Sequence, residues 1–168
     1  MSHTLHKKEA PQSISCKIIT VSDTRTKETD KSGQTMIDLL EAAGHRIVKY
    51  EIVTDETHQI REAIERGLKM DAVEAILING GTGIAKRDVT IETVQELFEK
   101  EIAGFGEIFR MLSYQEDIGS SAILSRAAAG VAQGKVIFST PGSTGAVRLA
   151  MNKLILPELG HIIRELNK

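Results

Sequence analysis

Ile76-Leu77-Ile78-Asn79-Gly80-Gly81-Thr82-Gly83, with Lys86-Arg87-Asp88-Val89-Thr90 just beyond, is the stretch that decides how this chain folds. An apolar run of strand length ends in three glycines within four residues, and a carboxylate follows. Glycine has no Cβ, so backbone N–H groups in such a loop approach a ligand closely. At the carboxyl end of a strand and near a helix start, those groups form a cradle for phosphate. Asp88 then stands where a magnesium ion bridging phosphate oxygens takes a hard oxygen ligand. The plain alternative is a tight strand-to-helix turn with no ligand. The adjoining Arg87-Asp88-Val89-Thr90 favours a nucleotide or phosphorylated-ligand site.

Outward from that loop, strand and helix patterns alternate. Residues 16–21 read as a buried β-branched strand. Ser32 can cap a helix whose Met36, Leu39, Leu40 and Ala43 follow the i, i+3, i+4, i+7 spacing, and Gly44 ends it. Residues 47–53 form a second strand, and Thr57 can cap a helix presenting Ile60, Ile64 and Leu68 on one face. Residues 74–79 form the third strand. Residues 90–98 predict a helix carrying Ile91, Val94, Leu97 and Phe98, and 106–113 predict another. A Gln133-Gly134 turn precedes a strand at 135–139. Thr140-Pro141-Gly142-Ser143 then opens a helix with Val147, Ala150, Met151 and Leu154. A last helix after Pro157 buries Leu159, Ile162, Ile163 and Leu166. Residues 1–13 are polar and aperiodic and read as a flexible tail; residues 14–168 read as one α/β domain.

Such alternation implies parallel pairing, right-handed crossovers and helices on both sheet faces. Ligands collect beyond the carboxyl ends of the strands in sheets of this kind. The loops there hold Ser22-Asp23, Asp55, the glycine cluster and Pro141-Gly142-Ser143. Taken alone, Asp55 is better read as a helix cap and Asp23 as an Asx turn. A shared sheet edge with Asp88 raises both. Ser125-Arg126 is either a polar start to the Ala-rich segment that follows or an anchor for a phosphate group.

Several classes are disfavoured. No G-x-x-x-x-G-K-[ST] occurs, and Lys86 stands where a dinucleotide fingerprint needs its third glycine. The five histidines show no metal-ligand spacing with each other or with Cys16. No Gly-x-Ser-x-Gly elbow is present. With 21 Lys plus Arg against 23 Asp plus Glu, the net charge of -2 gives no general attraction to nucleic acid or an acidic membrane. With no Trp, two Tyr and four Phe, platforms for base stacking are scarce. A single cysteine and the lack of an apolar leader or spanning run predict a cytoplasmic protein.

Thr20-Val21-Ser22-Asp23-Thr24-Arg25, Asn79-Gly80-Gly81-Thr82-Gly83, Arg87-Asp88-Val89-Thr90, Gly104-Phe105-Gly106-Glu107, Ser125-Arg126 and Pro141-Gly142-Ser143 occur in an order that resembles the MoaB/MogA family of molybdenum cofactor biosynthesis proteins. The resemblance spans residues 15–160. Residues 106–113 and the Pro141-Gly142-Ser143-Thr144 ending look closer to the MoaB branch. It implies a three-layer α/β/α sandwich on a mostly parallel sheet, and a trimer or a hexamer of two trimers. It implies molybdopterin as ligand, Mg-ATP as co-substrate, and other molybdenum cofactor enzymes as partners. Carried across by motif, Asp88 and Asp55 are the catalytic and magnesium carboxylates. Asn79, Gly80, Gly81, Thr82 and Gly83 hold nucleotide phosphates. Ser22, Asp23, Ser125, Arg126, Pro141, Gly142 and Ser143 hold molybdopterin. The implied reaction is adenylylation of molybdopterin with release of pyrophosphate; the alternative is a non-catalytic molybdopterin-binding protein of the same pathway. Ile91 departs from the family pattern, where proline would pre-set the first helical turn.

Overall fold

The computed structural model describes residues 13–168. All of the expected tail except Ser13 lies outside the described residues. A six-stranded sheet runs in the order β2-β1-β3-β6-β5-β4. The strands are β1 (Ser15–Val21), β2 (Arg46–Val53), β3 (Ala75–Asn79), β4 (Lys100–Glu101), β5 (Ala128–Ala132) and β6 (Lys135–Thr140). The helices are α1 (Lys31–Ala42), α2 (Thr57–Lys69), α3 (Thr90–Leu97), α4 (Ala103–Glu116), α5 (Thr144–Ala150) and α6 (Leu156–Leu166). β1 and β3 are buried at every position, as strands covered on both faces must be.

Side chains on alternate strand positions feed two cores. On one face Ile18, Leu77 and Phe138 pack under α1, α4, α5 and α6 through Met36, Phe109, Val147 and Leu159. On the other, Ile19, Ile76 and Ile137 meet α2 and α3 through Ile60, Ile64, Ile91 and Val94. The result is the expected α/β layering, mostly parallel and with helices on both sides.

The parallel register aligns Thr20 with Asn79 and Asn79 with Thr140. The loops after β1, β3 and β6 therefore leave the sheet side by side. The chain passes from β1 to β2 on one flank and returns to β3 on the other. That reversal opens a crevice between the ends of β1 and β3.

Two local expectations change. Asp30, not Ser32, caps α1: its Oδ1 accepts from the Gly33 N–H at 3.0 Å. Thr57 starts α2, but no side chain caps it. The Ala-rich segment after Arg126 is strand β5, antiparallel to β6. Its turn at Gln133 and Gly134 has φ of 50° and 75°, the paired left-handed conformation of a two-residue hairpin. The two C-terminal helices are joined by a π-helical turn at Met151–Ile155. That wide turn sits just before Pro157, which has no N–H to extend an α-helical ladder.

Candidate functional site

Gly80 and Gly81 leave β3 with φ of 105° and 70°. A Cβ on Gly80 would collide with the Val21 carbonyl oxygen, and one on Gly81 would collide with Thr90 Oγ1. Only glycine lets the chain turn here against β1 and the start of α3. The Gly80 N–H is spent on Thr140 O at 2.9 Å, so it continues the sheet. Among the described residues, the N–H groups of Gly81, Thr82 and Gly83 have no protein acceptor. They are the donors this loop can offer an anion.

Beside the loop lies a cleft of about 410 Å³ whose walls include Ser22, Asp23, Arg25, Asp55, Arg87 and Asp88. Gly80, Gly81 and Gly142 complete its floor. Four loops from separate strands thus contribute to one cavity, as their shared edge predicts. The Ser22 hydroxyl accepts from the Thr24 and Arg25 N–H groups at 3.2 and 3.1 Å, which leaves its own proton free to donate. Asp23 is not an Asx turn: its Oδ1 accepts from the Asp55 N–H at 2.9 Å, and Arg87 Nε donates to its Oδ2 at 2.6 Å. Asp55 does not cap α2, whose N-cap position is Glu56. Asp88 Oδ2 accepts from the Ala85 N–H at 2.9 Å, closing the turn after the glycines.

The carboxylates sit in different electrostatic states. The Asp55 N–H and the Arg87 guanidinium hold the Asp23 carboxyl below its usual range. Burial and the charges of Asp23 and Asp88 push Asp55 up, with Arg87 only partly opposing them. A cation beside Asp55 would relieve that repulsion. Among the described residues no three acidic or other ligating side chains converge on a closed metal site. Magnesium needs less, since it takes one or two carboxylates plus phosphate oxygens and water. Asp55 and Asp88, which line the cleft together, are the carboxylates that could hold such an ion.

The remaining expected residues lie elsewhere or act differently. Asn79 is fully buried: its amide donates to Thr20 Oγ1 at 2.9 Å, and its oxygen accepts from Ser32 Oγ at 3.0 Å. It steadies the strand end from beneath. Thr82 is buried, and its carbonyl accepts from the Arg126 N–H at 3.0 Å. Ser143 caps α5 through the Ala146 N–H at 3.1 Å, outside the cleft wall, and Pro141 is not on that wall. Ser125 lines a second cavity of about 440 Å³ with Arg110, Gln95 and Ile123.

Arg126 borders that second cavity but spends its guanidinium within the chain. Nε donates to Gly83 O at 2.9 Å and Nη2 to Asp88 O at 3.0 Å, while Glu92 pairs with the fork. That pairing holds the Glu92 carboxyl below its usual range. Arg126 is therefore a brace across the glycine loop, with little donor capacity left for a phosphate. Arg25 and Arg87, to which the motifs give no separate role, also line the cleft. Arg25 falls three residues past Ser22 in the loop after β1, and that placement on the ligand edge was the available signal.

Residues 17–161 match the family described as probable molybdopterin binding domain. The chain is 62% identical over 168 residues to molybdenum cofactor biosynthesis protein B of Bacillus cereus, covering 100% of this chain and 99% of that protein. A crystal structure of a molybdenum cofactor biosynthesis protein B superposes with a TM-score of 0.92 at 62% identity, over 95% of this chain and 99% of the other. A crystal structure from Thermus thermophilus, called the molybdopterin biosynthesis enzyme MoaB, gives a TM-score of 0.79 at 31% identity over 91% and 96% of the two chains.

Proposed function

The chain belongs to the molybdopterin-binding family of molybdenum cofactor biosynthesis proteins, MoaB among them, and from that premise we propose that it adenylylates molybdopterin with Mg-ATP. The observation that carries the proposal is the glycine loop: its N–H groups at 81–83 have no acceptor among the described residues, and Gly81 lines the same cleft as Asp55 and Asp88. The name of the Thermus relative, a biosynthesis enzyme, supports a catalytic reading.

In the proposed reaction a terminal phosphate oxygen of molybdopterin attacks the α-phosphorus of ATP in line. A new P–O bond forms, the bond to the bridging oxygen breaks, and pyrophosphate leaves. The loop N–H groups hold the polyphosphate. Ser22 and Gly142 border the space left for the acceptor. Magnesium, when bound, neutralises charge on the phosphate oxygens. Neither carboxylate needs to act as a strong base, because a phosphate monoester is already largely ionised at neutral pH. Asp55 and Asp88 contribute by orienting and compensating charge.

A non-catalytic binding protein is the second reading, favoured by the match to a family described by binding of molybdopterin alone. Incubation with molybdopterin and Mg-ATP and an assay for pyrophosphate separates the two. Pyrophosphate release should fall by a factor on the order of 10² or more in Asp88→Asn, with the fold retained. No release from the unaltered protein would leave only the binding reading.

We extend the proposal to a trimer or hexamer in the cytoplasm, cooperating with other molybdenum cofactor enzymes. Exposed Ile108, Met111, Tyr114, Ile118, Ile123 and Leu124, on α4 and the turn after it, support self-association. Light scattering tests it, and a monomer at micromolar concentration would exclude it. No helix of the described residues is long and apolar enough to cross a membrane.

A further inference from the structure

The cleft changes sign along the glycine loop. A Cβ on Gly142 would lie 3.2 Å from Gly80 Cα and 3.5 Å from Arg25 Nη1. One on Gly81 would lie 3.4 Å from Asp55 Oδ1, and one on Gly83 would lie 2.8 Å from Asp88 Oδ2. The Gly80 end therefore has a guanidinium beside it, and the Gly81–Gly83 end has carboxylates.

Arg25 is held firmly, but its donors are not exhausted. Nη1 donates to Ser32 Oγ at 2.6 Å and Nη2 to Gly142 O at 2.8 Å. A guanidinium has five N–H donors, so three of those on Arg25 have no protein acceptor among the described residues. Its side chain is 32% exposed on the cleft wall. Behind it, Asp30 is fully buried, with Oδ1 at 3.7 Å from Nη1. Asp30 directs its own oxygens to Thr20 Oγ1 at 2.6 Å, the Tyr50 hydroxyl at 2.5 Å and the Gly33 N–H at 3.0 Å. It fixes Arg25 in place without covering the open donors. The other arginine on this wall, Arg87, is paired through Nε and Nη2 to Asp23.

We infer that Arg25 anchors the phosphate monoester of the acceptor substrate at the Gly80–Gly142 end of the cleft, opposite the carboxylates. The inference rests on the phosphate-site reading above and adds the residue that selects a phosphorylated acceptor over its free alcohol. A planar guanidinium with open donors matches phosphate geometry. Fixing the monoester there leaves the carboxylate end for the metal-bound polyphosphate, so the two anionic substrates are kept in separate subsites.

The test is calorimetry on the full chain with 6-hydroxymethylpterin phosphate, free 6-hydroxymethylpterin and Mg-ATP as separate ligands. The unaltered protein should prefer the phosphorylated pterin by about tenfold or more, the scale of a charge-assisted hydrogen bond. Arg25→Gln should reduce that ratio to about one while Mg-ATP affinity stays within about twofold. Arg25→Lys should keep part of the preference, because the charge remains. Both pterins are measured on the same protein, so a partly unfolded variant does not alter their ratio. No preference in the unaltered protein, a preference that survives Arg25→Gln, or an equal loss of Mg-ATP affinity would overturn the inference. An Arg25-dependent preference in a protein that binds no Mg-ATP would uphold it and remove adenylyl transfer instead.

Discussion

Arg126 donates from Nε to the carbonyl oxygen of Gly83 at 2.9 Å, across 43 residues of sequence. The same guanidinium reaches the Asp88 carbonyl oxygen at 3.0 Å, so one side chain spans the glycine loop from its last glycine to its carboxylate. The loop that would receive a phosphate is thereby tied to the approach to β5, which runs antiparallel between β6 and the edge strand β4. Arg126 thus acts as a positioning residue.

Arg126→Ala should lower the proposed adenylylation by about tenfold to 10²-fold, the scale expected when reacting groups shift by an ångström. Removing the guanidinium also leaves the Gly83 and Asp88 carbonyls short of a donor and frees Glu92. Steady-state kinetics should show the loss mainly in kcat, with a smaller change in thermal midpoint. An unchanged kcat would mean that the loop keeps its shape unaided.

Gly81→Ala and Gly134→Ala test the same backbone conformation in two surroundings. Both glycines have φ in the left-handed region, +70° and +75°, where a Cβ costs about 1–2 kcal/mol. At Gly134 nothing lies within 4 Å of the added atom, whereas at Gly81 it meets Thr90 Oγ1. Urea denaturation should therefore show the larger loss for Gly81→Ala, and that variant alone should lose phosphate-ligand binding. Equal losses would show that the start of α3 yields to the new methyl group.

Asp55→Asn should stabilise the ligand-free protein at neutral pH while reducing turnover. Burial and the neighbouring Asp23 and Asp88 charges raise the folded pKa of Asp55 above 3.8. The folded state thus binds the proton more tightly, and stability falls as pH rises from 3.8 through that raised value. The variant's advantage in thermal midpoint should be largest above this window and vanish below it. An advantage independent of pH would point to packing rather than charge.

His45 should make the fold sensitive to mild acid. Its Nδ1 accepts from the Ile14 N–H at 3.0 Å, which requires an unprotonated nitrogen, and burial lowers its pKa from 6.5 against the pull of Glu74. The unfolded chain therefore takes up the proton first. The stabilisation is complete above 6.5 and is lost as pH falls from there through the lowered folded value. Thermal melts between about pH 7.5 and 5 should slope less for His45→Gln, which keeps an acceptor that does not titrate in that range. Identical slopes would assign the acid sensitivity to another group.

The alternation of buried strands with amphipathic helices was readable because each period reports which face of an element is covered. The glycine loop was readable because left-handed backbone and close approach both demand glycine. The β5–β6 hairpin was less so. Ala128–Ala132 carries only one β-branched residue, and its strand identity comes from pairing with β6, with Gln133-Gly134 as the sole local sign. Asp30 also escaped, since a carboxylate two residues before a serine looks like any polar helix entry. Its role depends on Tyr50 and Thr20, brought to it from β2 and β1.

Local chemistry along the chain determined the α/β architecture, the family, and the edge of the sheet on which a phosphate ligand would sit. Those features follow from periodicity and from glycine's missing side chain, both set within a few residues. Only the tertiary structure decided that Arg126 braces the loop, that Asn79 lies beneath it, and that Arg25 faces the cleft with donors to spare. The physical reason is that a polar side chain's role is fixed by which partners satisfy it. For these three, those partners come from strands and loops far away in sequence.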